Sequence, residues 1–372
     1  VSFLVSALAF LLLISVLILI HEWGHYITAR LAGVMVEEFG LGLPPRAKTI
    51  AVRKGTVFSL NWIPFGGYVR LKGESTTDPQ IRFASGSFAS APALMRIVIL
   101  LAGVFMNTLL AYAILVVGFA WGGWIPTYPT IDELQAGADR GEIALEWGVL
   151  VDDVKEGSPA EAAGVVVGSF LTKVNGTPVT FPEDVVKLQE GRNAVTYTLL
   201  LPAQFAEEWN VTVALEDGKA GVALAQSPRT LAGMKRPLGE ALQLSNHEVR
   251  VVLGQTMKGV RKLFRSLLAS GEVPEEISGL VGIARITHAS VQEGFFTYLR
   301  LVAMLSLSLA VLNTLPFPAL DGGRLILVLL ECGLRRPLHH SAEMALNTIG
   351  FALIFLMIVI VTMSDIMRLF QT

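Results

Sequence analysis

His21-Glu22-Trp23-Gly24-His25 closes a run, Phe3 to Ile20, that is apolar except for Ser6 and Ser15. On a helix, residues four apart share a face, so His21 and His25 point the same way with Glu22 beside them. Two imidazoles at that spacing can hold a zinc ion, and the glutamate can act as general base towards an attacking water. Each ionisable group at membrane depth costs about 2.5 kcal/mol or more without a partner. Three in five residues therefore ask for chemistry. The structural alternative is a helix end whose polar groups reach the membrane interface.

A catalytic zinc takes three protein ligands and leaves one position open. The best source of a third is Asn313-Thr314-Leu315-Pro316-Phe317-Pro318-Ala319-Leu320-Asp321-Gly322-Gly323. Two prolines in three residues cannot continue a helix. Broken backbone is tolerated at membrane depth only where it is buried in protein or lines a water-filled cavity. Asp321 follows that break, beside glycines that let backbone approach closely. Alone, it could equally be a solvated cap of an interfacial turn. His339 and His340, after Arg335-Arg336-Pro337, read as solvated, and His247 and His288 lie far from the broken segment in sequence.

The elements that must position these residues are membrane spans. Hydrophobic residues make up 52% of the chain and charged ones 16%, against about 25% charged in a soluble domain. Mean hydropathy is +0.57. The net charge of −2 gives no sign of nucleic-acid binding. The single cysteine, Cys332, excludes an intramolecular disulfide and reads as packing. Four stretches can span a bilayer: about 3–28, Ile97–Trp121, Tyr298–Leu315 and Asn347–Thr362, the last short for a span. Leu325–Leu330 reads as the third helix resuming after its break. The first span lacks a basic leader and a small-residue cleavage site, so it reads as retained. Between Ala29 and Arg96 there are nine Lys/Arg and four Asp/Glu; between Gly122 and Thr297, fifteen and twenty-two. The positive-inside rule places the first connection in the cytoplasm and the second outside.

With these motifs on two spans, the chain resembles the site-2 proteases, intramembrane zinc metalloproteases, in their bacterial PDZ-containing branch. The pentad with Arg30, Gly33, Phe39 and Gly40 is similar to the family's first catalytic span, and Asn313 to Gly323 to its second motif. The resemblance implies His21, His25 and Asp321 as zinc ligands, Glu22 as catalytic base, and Asn313 near the substrate carbonyl. Asn61 to Val69, with Gly66 and Gly67, then Lys72 to Glu74, resembles the family's re-entrant β-loop. Alternating Val57, Ser59 and Asn61 reads as a strand whose free edge could pair with an unwound substrate; a plain hairpin is the alternative. Gly103-Val104-Phe105-Met106-Asn107 resembles a Gly-Pro-x-x-Asn motif with valine for proline, which makes Asn107 a further substrate-binding candidate. Ser158 to Gly164 and Gly168 to Gly176 resemble a bacterial PDZ domain: a short helix capped by Ser158 and a turn at Asn175-Gly176. Its groove could capture a chain terminus, or the module could be a steric guard.

The fold expected is an α-helical polytopic membrane protein of about four transmembrane helices, with a re-entrant β-loop and an inserted α+β PDZ domain. Its parts are 1–125 with the zinc motif and β-loop, 126–235 as the PDZ-like domain, 236–296 as an interfacial amphipathic segment, and 297–372 with the third ligand. In the amphipathic segment Lys258, Arg261, Lys262 and Arg265 cluster opposite the apolar residues. The expected activity is zinc-dependent peptide hydrolysis inside or beside the bilayer, and the resemblance implies a substrate with one transmembrane helix. The resemblance implies prior trimming by a site-1-type protease and a place in the bacterial inner membrane, the PDZ domain outside and the active site near the cytoplasmic side. A silent membrane-anchored PDZ binding protein and a metal transporter are the alternatives.

Overall fold

The computed structural model describes residues 3–74, 76, 78–201, 208–274, 276–335 and 340–370. Arg336 and His339 lie outside the described residues. Among the described residues, four helices are long and apolar enough to cross a membrane: Phe3–Leu31, Ala93–Gly122, Phe295–Thr314 and Ser341–Leu369. The protein is a polytopic membrane protein with a β component. Its chain forms two compact units, one of 1–122 with 236–372 and one of 123–235.

The first unit begins with α1 (Phe3–Leu31). No proline breaks it, and it ends where Gly33 takes φ +75° while the amides of Ala32 and Val34 close onto Thr28 and Ala29. Two long strands follow, β1 (Val36–Arg53) and β2 (Thr56–Leu71). They form more than a hairpin: Glu38–Leu41 stands between two segments of β2, Val57–Leu60 and Gly67–Arg70. Val57–Leu60 also pairs with Lys48–Val52 on its other side. The strand around Val57–Asn61 therefore has no free edge there, because the sheet curls back on itself. Buried Glu38 ties the curl together, accepting from Arg46, Ser59 and Arg70. Burial pushes its carboxyl up, but hydrogen bonds from Arg46, Ser59 and Tyr68 outweigh this and hold it below the usual range. A short helix α2 (Pro79–Arg82) leads to α3 (Ala93–Val117), which a π turn, Gly118–Gly122, extends.

The second unit holds α4 (Ile131–Asp139), β3 (Ile143–Val154), α5 (Pro159–Ala162), β4 (Phe170–Val174), β5 (Thr177–Pro178), α6 (Pro182–Gln189), β6 (Ala194–Leu200), β7 (Glu208–Ala214) and β8 (Val222–Gly233). Its antiparallel sheet runs β7-β6-β4-β3-β8, with β5 beside β4. Val149, Val151, Leu171, Val174, Val195, Tyr197, Leu199 and Val213 form its core. Ser158 caps α5 by accepting from the Glu161 amide, and Asn175 and Gly176 both take positive φ between β4 and β5.

The chain then returns to the first unit with α7 (Leu238–Ala269), α8 (Leu280–Glu293), α9 (Phe295–Thr314), α10 (Asp321–Leu334) and α11 (His340–Leu369). One face of α7 packs on α3 and α9. Tyr112 donates to the Leu242 carbonyl, buried Glu248 pairs with Arg300 at 3.1 Å, and Thr256 meets Ser308 at 3.3 Å. Its basic face, Lys258 to Arg265, is exposed. Leu325–Leu330 belongs to α10, a separate helix whose 14 residues span about 21 Å; Cys332 on it is exposed rather than packed. The fourth span is longer than its apolar middle suggests, because polar groups at its ends find partners. Glu343 pairs with Arg82, and Asp365 accepts from the amides of Gly279 and Gly282 at the start of α8.

Candidate metal centre

α1 presents His21 and His25 on one face, both buried, their ring centroids 4.8 Å apart at 79°. α10 presents Asp321 as its first residue. The break before it is over-determined. Pro316 and Pro318 donate no amide hydrogen, Ala319 takes φ +73°, and the Ala319 amide is held by Asn347 Oδ1. A side chain on Gly322 would collide with the carbonyls of Thr314 and Leu315, and one on Gly323 with that of Phe317. Arg324, one turn later, pairs with Glu74, while Arg96 and Glu331 pair at 2.6 Å. These contacts fix where α10 starts, and so where Asp321 points.

The three side chains converge. His21 Nε2 lies 2.9 Å from Asp321 Oδ2, His25 Nε2 lies 3.3 Å from the same oxygen, and the two Nε2 atoms are 3.1 Å apart. Two features of the set suit a metal. Zinc bonds of about 2.0–2.1 Å at tetrahedral angles separate donor atoms by about 3.3 Å, close to all three distances. The proton count agrees. His25 Nδ1 donates to the Ile99 carbonyl at 2.8 Å, which leaves its Nε2 a bare lone pair when the ring is neutral. That lone pair faces a carboxylate oxygen and a second imidazole nitrogen, an arrangement that a central cation stabilises. Gly103 on α3 makes room for it: a Cβ there would lie 2.5 Å from His25 Nε2 and 2.6 Å from His21 Cε1. The donor set fits zinc, with a fourth tetrahedral position left over.

Glu22 sits next to this triplet on α1, half-buried, with the Val69 backbone of β2 close to its carboxyl. Gly66 and Gly67 bring β2 to that place, since a Cβ on either would meet Ile18 or Leu19 at 2.9 Å. Asn107 on α3 is fully buried, with its amide 3.4 Å from His21 Nδ1. Asn313, in the last turn of α9, is half-buried and has no side-chain partner among the described residues. Where α1 meets β1 and β2, the rings of Trp23, Tyr26, Phe39 and Phe58 pack mostly edge to face. The roles of Gly103, the Ile99 carbonyl and the Arg324–Glu74 pair were not legible in the sequence. Each depends on a contact between elements distant in the chain.

Comparison with known proteins gives a consistent result. The profile of peptidase family M50 matches residues 9–357. The chain is similar to a candidate zinc metalloprotease of Clostridium perfringens, 28% identical over 96% of this chain and 97% of the relative. A candidate zinc metalloprotease of Fusobacterium nucleatum is 29% identical over 96% and 98%. The zinc metalloprotease RasP of Shouchella clausii is 26% identical over 98% and 100%.

Proposed function

The chain belongs to peptidase family M50, the zinc metalloproteases of the site-2 type, and from that premise we propose that it cuts single-span membrane proteins within or beside their transmembrane segment. In this reading His21, His25 and Asp321 hold the zinc and Glu22 is the general base. The observation that carries it is the donor triplet at near-tetrahedral spacing, with Glu22 one residue from His21. Zinc supplies Lewis acidity at the scissile carbonyl. Glu22 takes the proton of the attacking water and delivers it to the departing amide nitrogen.

Amides inside a helix are engaged in their own hydrogen bonds, so the substrate must unwind before it is cut. The stretch Gly66–Val69, beside Glu22, is where an extended substrate would align, main chain to main chain. Asn313, with its amide free of partners, would donate to the substrate carbonyl. The 123–235 unit is read as a PDZ domain, because α5 with its Ser158 cap and the Asn175-Gly176 turn match that pattern and β8 is a sheet edge. The substrate would arrive already trimmed by another protease, and the enzyme would reside in a bacterial inner membrane.

Two experiments test this reading. Protein purified in detergent and loaded with zinc should cut a model single-span substrate, with product masses placing the cut in or beside the span. A substrate that keeps a large folded external domain should be cut far more slowly than its trimmed form. Cleavage confined to soluble peptides would refute the membrane substrate, and equal rates on both forms would remove the upstream protease. Sidedness is tested by labelling: in intact cells an impermeant thiol reagent should reach a cysteine at Lys173 and not one at Lys54. The reverse pattern would overturn the charge argument.

A further inference from the structure

His21 faces the other donors through Nε2; its second ring nitrogen, Nδ1, faces Asn107. The nearest atom of Asn107 is the amide nitrogen Nδ2, at 3.4 Å. The amide oxygen, Oδ1, is buried without a hydrogen-bond partner among the described residues. Leaving such a group unpaired is costly, so each one calls for an explanation. Asn107 is otherwise pinned: it is 0% exposed, and its backbone carbonyl accepts from Ser306 Oγ on α9 at 2.8 Å. The freedom it retains is the turn of its terminal amide, which exchanges oxygen for nitrogen in nearly the same volume.

The two histidines differ in how that second nitrogen is set. His25 Nδ1 faces a backbone carbonyl, which can only accept. That fixes a proton on Nδ1, so whenever the ring is neutral Nε2 is the nitrogen with the free lone pair. His21 has no such fixed acceptor. With Asn107 Nδ2 donating to it, His21 Nδ1 is a lone pair, and the ring proton sits on Nε2, aimed at Asp321 Oδ2 2.9 Å away. To bind a cation, His21 must bare Nε2 and carry its proton on Nδ1. It then needs an acceptor where Nδ2 now stands.

We propose that Asn107 is a positioning residue for His21, its side-chain amide turning end for end as metal binds so that Oδ1 accepts the Nδ1–H. The ring keeps one proton throughout, lost from Nε2 and gained on Nδ1. This rests on His21 being a ligand, as read above, and gives Asn107 a role other than contacting substrate. Hydrogen-bond partners of this kind orient metal-bound imidazoles, and their loss weakens metal binding about 10–100-fold.

The test uses the full chain in detergent, with zinc affinity measured by competition against a chelator. Asn107→Leu, similar in shape but with no acceptor, should bind zinc about 10–100-fold more weakly, with KM unchanged at saturating zinc. Asn107→Asp offers only acceptors and should restore affinity to within a few-fold of the parent. In the metal-free parent, side-chain ¹⁵N spectra should show His21 Nδ1 unprotonated; in metal-free Asn107→Asp it should be protonated. Parent-like zinc affinity in Asn107→Leu, or a raised KM alone, would overturn the proposal in favour of a substrate contact. If the leucine variant does not fold, the aspartate variant and the spectra decide: a protonated Nδ1 in the metal-free parent refutes the turn. If His21→Ala holds zinc as tightly as the parent, the ligand assignment itself fails, and this inference falls with it.

Discussion

Glu22→Gln should retain zinc and lose cleavage by a factor of about 10²–10⁴ or more, the range that a positioned general base contributes. Glutamine matches glutamate in shape. It cannot take a proton from water at neutral pH. Glu22 is not one of the three side chains whose donor atoms converge, so zinc content and thermal unfolding should match the parent. Metal analysis and turnover of the model substrate, measured on the same preparation, separate the two effects. Turnover within tenfold of the parent would mean that another group accepts the proton. Loss of zinc alongside activity would mean that Glu22 supports the metal instead.

The parts of this site that could be read in the sequence are those whose signal is local. A helical spacing of four put His21 and His25 on one face, and a proline-broken apolar run marked the place where an aspartate could turn inward. Three of the four spans were legible to within a few residues because an apolar run needs no partner to show itself. The fourth was legible only in its middle. Its ends carry Glu343 and Asp365, which look like reasons to stop until their partners, Arg82 and the amides of Gly279 and Gly282, are seen. The β element misled for a related reason. Alternation identifies a strand, but nothing local says that Val57–Leu60 is flanked on both sides while Gly66–Val69 is the stretch brought against α1. Register and curl are decided by Glu38 and its arginines, drawn from three places in the chain.

Gly103 shows how such a contact can be tested where the sequence offers only a small residue in an apolar helix. α1 and α3 cross closely here, because a Cβ on Gly24 would strike the Ala102 carbonyl and one on Gly103 would strike both imidazoles. The helices have little room to separate, so the strain of an added methyl falls on the rings of His21 and His25. Overpacking of this kind costs about 1–3 kcal/mol. At about 1.4 kcal/mol per decade, Gly103→Ala should weaken zinc binding roughly five- to 150-fold. Gly254→Ala on α7 is the control, since nothing lies within 4 Å of its added Cβ; it should bind zinc like the parent and be no less stable. Chelator competition on both variants, with thermal unfolding followed alongside, reads the result. If Gly103→Ala holds zinc as tightly as Gly254→Ala, the imidazoles are not confined by α3. The metal geometry would then have to come from α1 and α10 alone.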